Sequence, residues 1–335
     1  RRRRRLLDMF SFFGAGTSSE AKDKNRDKDE EAKRGDKKEK KNSRYHPDFE
    51  IKEGGGYIGF LNEKQEDAMK SLDAKLNEAK LDLPSSSEER EQTLCRFLRA
   101  RKFDVEKSFK MLKDDIDWRK EKDVVALKAQ SEKEVLKCDP ALLHHYLPVW
   151  HQGVDKQNNP VVYKKFGNFE IWNVTKETTI ENLVDYHLWQ MEHYVDLIHE
   201  NTKKCGHLVE TLTMVIDAKD WRLSLFTNES TKFLYRISKI DSDHFPERLG
   251  RLIVVNAPYV LSVAWKVIRG WLDPKTQQKI QIVRGPEEYE PVLKGLIDEA
   301  ELCEEYGGKA KCTYVPTNNI PGKGESESPN TAQSD

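Results

Sequence analysis

The sequence predicts an α/β fold with a helical amino-terminal lobe, followed by a lobe built on a mainly parallel sheet. Three observations carry this prediction. The 335 residues are enough for about two compact units. Apolar residues recur at helical spacing between about residues 60 and 147. Beyond that, short apolar runs alternate with helical segments, the order that places parallel strands beneath covering helices.

In the first lobe, 45–147, the run Ser85-Ser86-Ser87-Glu88-Glu89 offers a capping box ahead of Leu94, Phe97 and Leu98. Asp104 is placed to cap a second helix, in which Val105, Phe109, Leu112 and Ile116 share a face and Trp118 and Arg119 lie near the end. The second lobe is assigned to 148–315. The turn-rich stretch from Asp155 to Pro160 precedes Val161-Val162-Tyr163, its first predicted strand. A long helix follows Thr179, because Ile180, Leu183, Val184, His187, Leu188, Met191, Val195 and Ile198 hold one face as far as Cys205 and Gly206. Three further strands are expected at Leu212–Ile216, Leu252–Val255 and Ile280–Val283. Sheets of this type often carry ligands at the carboxyl ends of their strands. Between the last two strands, Tyr259 to Leu272 is apolar almost all round, which fits either a core helix or a lid over an apolar cavity or membrane.

Charge is balanced overall, 57 Lys+Arg against 58 Asp+Glu, so nucleic-acid binding is not indicated. It is unevenly placed: residues 1–44 carry 16 basic and 9 acidic side chains. This basic tail and the polar stretch 316–335 have too little apolar surface to offset the entropy of ordering and are expected to be disordered. Leu6 to Phe13 follows five arginines and fits an inert tail, a membrane-surface contact or a signal sequence. No run of 18 apolar residues occurs. Cys95, Cys138, Cys205, Cys303 and Cys312 are odd in number and widely spaced without a C-x-x-C pair, so they read as free thiols in a reducing compartment.

Familiar catalytic motifs are missing. Gly54, Gly56 and Gly59 match G-x-G-x-x-G but follow a charged stretch rather than a buried strand, so a turn is expected. His144, His145, His187, His193 and His199 show no metal-ligand grouping and read as surface and packing residues. No nucleophile elbow or phosphate loop occurs. What remains is Arg101, Glu247, Arg248 and Lys279 beside apolar elements. Such charges are ordinarily just solvated. Around a pocket, cations would donate to phosphate and a carboxylate would accept from sugar-like hydroxyls, a combination suited to a phosphoinositol head.

The stretches Thr93–Asp104 (T-L-C-R-F-L-R-A-R-K-F-D), Gly206–Thr211, Phe245–Gly250 (F-P-E-R-L-G), Asn256-Ala257-Pro258 and Leu272–Thr276 (L-D-P-K-T) resemble the CRAL-TRIO family, and within it the yeast-type phosphatidylinositol transfer proteins. The resemblance spans about residues 57–312. It implies an α/β lipid-binding lobe with a mobile gate helix, and places Tyr259, Leu261, Trp265, Ile268 and Trp271 on that gate. It further implies that Arg101, Glu247, Thr276 and Lys279 hold the inositol phosphate head. The positions that hold phosphatidylcholine in such relatives fall here on His151, Val162, Leu212 and Met214. Replacing hydroxyls by Leu and Met removes donors and favours a less polar second ligand over phosphatidylcholine.

The expected activity is therefore non-enzymatic: a monomeric carrier moves phosphatidylinositol between membranes or presents it to a phosphoinositide kinase, needing no cofactor beyond the bound phospholipid. It would be cytoplasmic and would touch Golgi or other internal membranes transiently. A carrier or sensor of a sterol, tocopherol, retinoid or haem is the alternative.

Overall fold

The computed structural model describes residues 44–49, 51, 54–83 and 88–314. Of the tails read at 1–44 and 316–335 all but Arg44 lie outside the described residues, as do the apolar patch at Leu6–Phe13 and the serines of the expected capping box.

The first lobe is helical. Helix α1 (Glu63–Glu78) starts at Asn62, whose side chain accepts from the Gln65 amide while the Gln65 side chain returns to the Asn62 amide. Helix α2 (Arg90–Ala100) is preceded by Glu89, which makes no side-chain cap. The expected capping role of Glu88 is corrected: its carboxylate is buried in an ion pair instead. Helix α3 (Val105–Glu121) is capped by Asp104, as its sequence predicts. Leu72 and Leu76 of α1 pack against Leu94, Phe97 and Leu98 of α2 and Met111, Leu112 and Ile116 of α3. Short helices α4 (Val124–Ala129), α5 (Glu132–Leu136) and α6 (Pro140–Tyr146) lead into the sheet. The three glycines near residue 56 form the expected turn, all in the left-handed region. The Gly56 carbonyl accepts from Cys95 and Arg99 of α2, which fastens the turn to the lobe.

The sheet runs in the order β1 (Val149–Val154), β2 (Pro160–Lys165), β3 (Leu212–Asp217), β4 (Leu249–Val255) and β5 (Ile280–Ile282). Strand β1 is antiparallel to β2, and every other pairing is parallel. The second lobe thus starts one strand earlier than Val161–Tyr163. The missed strand reads Val-Trp-His-Gln-Gly-Val, with no clean alternation, because it lies at the sheet edge. The turn between β1 and β2 is held by the buried Asp155 carboxylate, which accepts from the Gln157 and Asn159 amides and from the Thr213 hydroxyl of β3.

Short α7 (Ile171–Val174) precedes α8 (Ile180–Cys205), which Thr179 caps and Gly206 ends in the left-handed conformation. Helix α9 (Asn228–His244) joins β3 to β4. The apolar segment after β4 forms α10 (Leu261–Ile268) and a 3-10 turn, Arg269–Trp271, rather than one continuous helix. Helix α11 (Pro274–Gln278) leads into β5, and α12 (Pro286–Leu296) follows it.

The two sheet faces differ in closure. Val161, Tyr163, Val215, Ile253 and Val255 point to one side and are sealed by Tyr289 and Leu293 of α12 with Leu302 and Tyr306. On the other side α8 buries Val162 and Leu212. Farther along that side, Met214, Ile216, Leu252, Val254 and Ile280 are only partly buried, and Ile282 is exposed. The sheet therefore carries an apolar groove that its own helices leave incompletely filled.

The reading of five free thiols is also corrected. Cys303 and Cys312 are joined by a disulfide, their Cα atoms 5.1 Å apart. Backbone bonds between Glu304 and Ala310 and between Ala310 and Leu302 fold that loop back on itself, a closure that cysteine spacing does not reveal. Cys95, Cys138 and Cys205 are free.

Candidate functional site: an apolar groove with a charged mouth

The lid over the groove starts at the carboxyl end of β4. Asn256 takes a positive φ of 52° and donates its side-chain amide to Asp217 at the end of β3, turning the chain out of the sheet. Leu261, Ala264 and Ile268 of α10 then pack on Val254, Ala218, Trp221 and Leu225. Trp265 lines a cleft with Ala257, Ile280 and Ile282. Trp271 meets Tyr235 of α9 edge-on at 5.5 Å. Tyr259, Val260, Val263 and Val267 face outward and are at least 44% exposed. An apolar helix with a bare outer stripe is a lid rather than a core helix, the reading that periodicity alone left open. Its far end is fixed by Gln277, whose side-chain amide donates to the Arg269 and Leu272 carbonyls. The lid thus runs from the carboxyl end of β4 back to the amino end of β5.

Charged residues gather at that second end. Glu247 sits just before β4 with a positive φ of 60° and a side chain only 8% exposed. Lys275 donates to it at 2.7 Å, and the Lys279 ammonium lies 3.5 Å from its other oxygen. Lys279 also donates to the Leu249 carbonyl at 2.7 Å. Burial alone would raise the Glu247 carboxyl, but Lys279, Lys275 and Arg99 outweigh it and hold it below the usual carboxylate range. Burial pushes the Lys279 ammonium down. Asp273 caps α11 and accepts from the Thr276 hydroxyl. The cluster lies at the amino ends of β4 and β5, opposite to the end that parallel sheets commonly use.

Of the four head-group residues expected from sequence, Glu247 and Lys279 are in contact. Thr276 lies within one turn of Lys279, its hydroxyl turned to Asp273. Arg101 ends α2, donates to the Ala100 carbonyl and makes no ion pair among the described residues. Lys275, one residue before Thr276, is a member that sequence reasoning passed over. Its signal was a second cation four residues ahead of Lys279.

Behind the cluster the two lobes are joined by buried charge. Arg96 and Arg248 each donate to Glu88 at 2.8 Å, and Arg96 also donates to the Pro246 carbonyl. Burial would raise the Glu88 carboxyl, but Arg248 and Arg96 hold it far below the usual range. Arg99 donates to Glu210 at 2.7 Å and stacks over Tyr57. Glu247 is therefore presented by a loop whose neighbours on both sides, Pro246 and Arg248, are fixed to the helical lobe.

The expected second-ligand positions divide. Val162, Leu212 and Met214 lie together on the groove side of β2 and β3, the first two buried under α8. His151 is opposite Val162 on the edge strand but exposed, so it stands apart from the other three.

The family model described as CRAL/TRIO domain matches residues 144–308, and that described as CRAL/TRIO, N-terminal domain matches residues 62–114. The SEC14 cytosolic factor of Candida glabrata is 30% identical over 261 residues, 76% of this chain and 82% of that protein. The phosphatidylinositol/phosphatidylcholine transfer protein SFH12 of Arabidopsis thaliana is 31% identical over 247 residues, 73% of this chain. The match spans 44% of that relative, so the chain covers less than half of its length. The crystal structure of Sfh5 superposes with a TM-score of 0.58 at 18% identity, covering 78% of this chain and 90% of that one, and supports the fold.

Proposed function

The chain belongs to the CRAL/TRIO family, and from that premise we propose that it is a non-enzymatic carrier that binds phosphatidylinositol and moves it between membranes or presents it to a lipid kinase. One observation carries the reading: an apolar groove over β3 to β5, roofed by an apolar lid, ends at the Glu247–Lys275–Lys279 cluster, in which the Glu247 carboxylate is buried. Acyl chains would fill the groove, at about 0.8 kcal/mol for each methylene removed from water. That term is large but blind to the head group. Selection falls to the mouth, where Lys279, Lys275 and Arg101 offer donors to phosphate and Glu247 and Thr276 bind inositol hydroxyls. The outward stripe of Tyr259, Val260, Val263 and Val267 suits contact with a membrane surface while the lid opens. No described helix is long and apolar enough to cross a membrane. Visits to Golgi or other internal membranes from the cytoplasm belong to this proposal.

Lipids extracted from the protein purified from its native source and identified by mass spectrometry test the reading. Phosphatidylinositol at close to one per chain is expected. A sterol, tocopherol, retinoid or haem in its place would overturn it.

A further inference from the structure

The groove side of β2 holds a polar residue that the head-group cluster does not use. Lys164 shares its face with Val162 and lies opposite Ile216 of β3. It is 9% exposed, and its ammonium stands 5.8 Å from the centre of the Tyr194 ring on α8. Its ammonium makes no hydrogen bond or ion pair among the described residues. The Tyr194 hydroxyl is likewise buried without a partner. The acidic group that acts on Lys164 is Asp241 of α9, whose carboxylate accepts instead from His187 at 2.7 Å.

A buried phenol without an acceptor and a largely buried lysine without an ion-pair partner cost stability unless something else satisfies them. Burial pushes the Lys164 ammonium down to about 8, Asp241 only partly opposing this, so the group still carries its charge at neutral pH. Lys164 lies beside Ile216, and Tyr194 packs in the cluster that includes Met214; Ile216 and Met214 both belong to the partly open stretch of the groove. A trimethylammonium head would be repelled there, whereas an oxyanion would be held by charge-assisted bonds.

We propose that Lys164 and Tyr194 form an interior anion subsite for a second, anionic lipid, whose carboxylate or phosphate monoester they hold while its acyl chain lies over Ile216, Met214 and Leu252. The proposal rests on the lipid-carrier reading above and names the class of its second ligand. It changes the expectation drawn from Leu212 and Met214. The lost hydroxyls make that part of the face apolar, but the neighbouring strand supplies a cation, so the second ligand is anionic rather than merely less polar.

The full chain is incubated with phosphatidylcholine vesicles carrying trace labelled oleic acid, phosphatidic acid or phosphatidylinositol, and the lipid eluting with the protein is counted. Oleate or phosphatidate is expected in clear excess over labelled phosphatidylcholine, and whichever is retained distinguishes carboxylate from phosphate monoester. Lys164→Met should lower that retention about ten-fold or more, and Tyr194→Phe by about three-fold. Retention of phosphatidylinositol should not change in either variant. Because the lysine is unpaired without ligand, Lys164→Met should also raise the melting temperature of the lipid-free protein by about 2 °C or more. Neither anionic lipid retained above phosphatidylcholine, unchanged retention in Lys164→Met, or a Lys164→Met chain that fails to fold would overturn the proposal. Loss of phosphatidylinositol binding alone, with Lys164-dependent oleate or phosphatidate intact, would instead defeat the head-group reading.

Discussion

Glu247→Lys should reduce phosphatidylinositol transfer by about a hundred-fold or more while the protein stays folded. The substitution removes the acceptor that Lys275 and Lys279 share and adds a third ammonium to a site where the native side chain is 8% exposed. Inositol hydroxyls lose their anionic acceptor, and the remaining lysines repel the newcomer. Stability should suffer less, because the Lys275 side chain is 53% exposed and can turn to water. Circular dichroism should show native helix content, with a melting temperature a few degrees lower. Glu247→Gln, which keeps the shape, should lose about ten-fold. Transfer at the native rate by Glu247→Lys would remove this residue from the head-group site.

Glu88→Gln should be costly in the opposite sense, to the fold before the activity. The Glu88 carboxylate is 3% exposed and receives two guanidinium groups, Arg96 at 7% and Arg248 at 4%. Neutralising it leaves two buried cations without their counter-charge, a change of about 3–5 kcal/mol. Urea unfolding should show a loss of unfolding free energy of that size. The pH dependence follows from the depressed carboxyl. Because Glu88 titrates lower in the folded chain than its unfolded value of about 4.3, its contribution is complete above that pH and is lost as pH falls toward the folded value. The native protein should therefore lose stability more steeply below about pH 4.3 than Glu88→Gln does.

Much of the framework is legible in the chain because local and long-range signals agree there. Thr179, one apolar face and Gly206 define α8 to the residue, and β3 to β5 lie where short apolar runs predict them. The misses are non-local. Strand β1 lacks alternation because, among the described residues, no strand pairs with its outer edge. The Cys303–Cys312 bond depends on a loop closing on itself. Glu88 gives up a capping role because Arg248, 160 residues away, reaches it.

The site follows the same division. Glu247 and Lys279 stand out as charges beside apolar runs, where charges are ordinarily solvated, and only the resemblance assigns them to a head group. Only the fold shows that they touch, and that Lys275 joins them. Lys164, directly after Val161-Val162-Tyr163, carries no sequence signal of its own. The sheet places it under α8, facing Tyr194.

Transfer of labelled phosphatidylinositol and phosphatidylcholine between donor and acceptor vesicles, measured side by side for the native chain and Lys279→Ala, tests the central claim most directly. The native chain should move the inositol lipid and little of the choline lipid, and Lys279→Ala should slow inositol-lipid transfer by about ten-fold or more. Phosphatidylinositol left in the donor vesicles by the native chain, or moved equally well by Lys279→Ala, would contradict it.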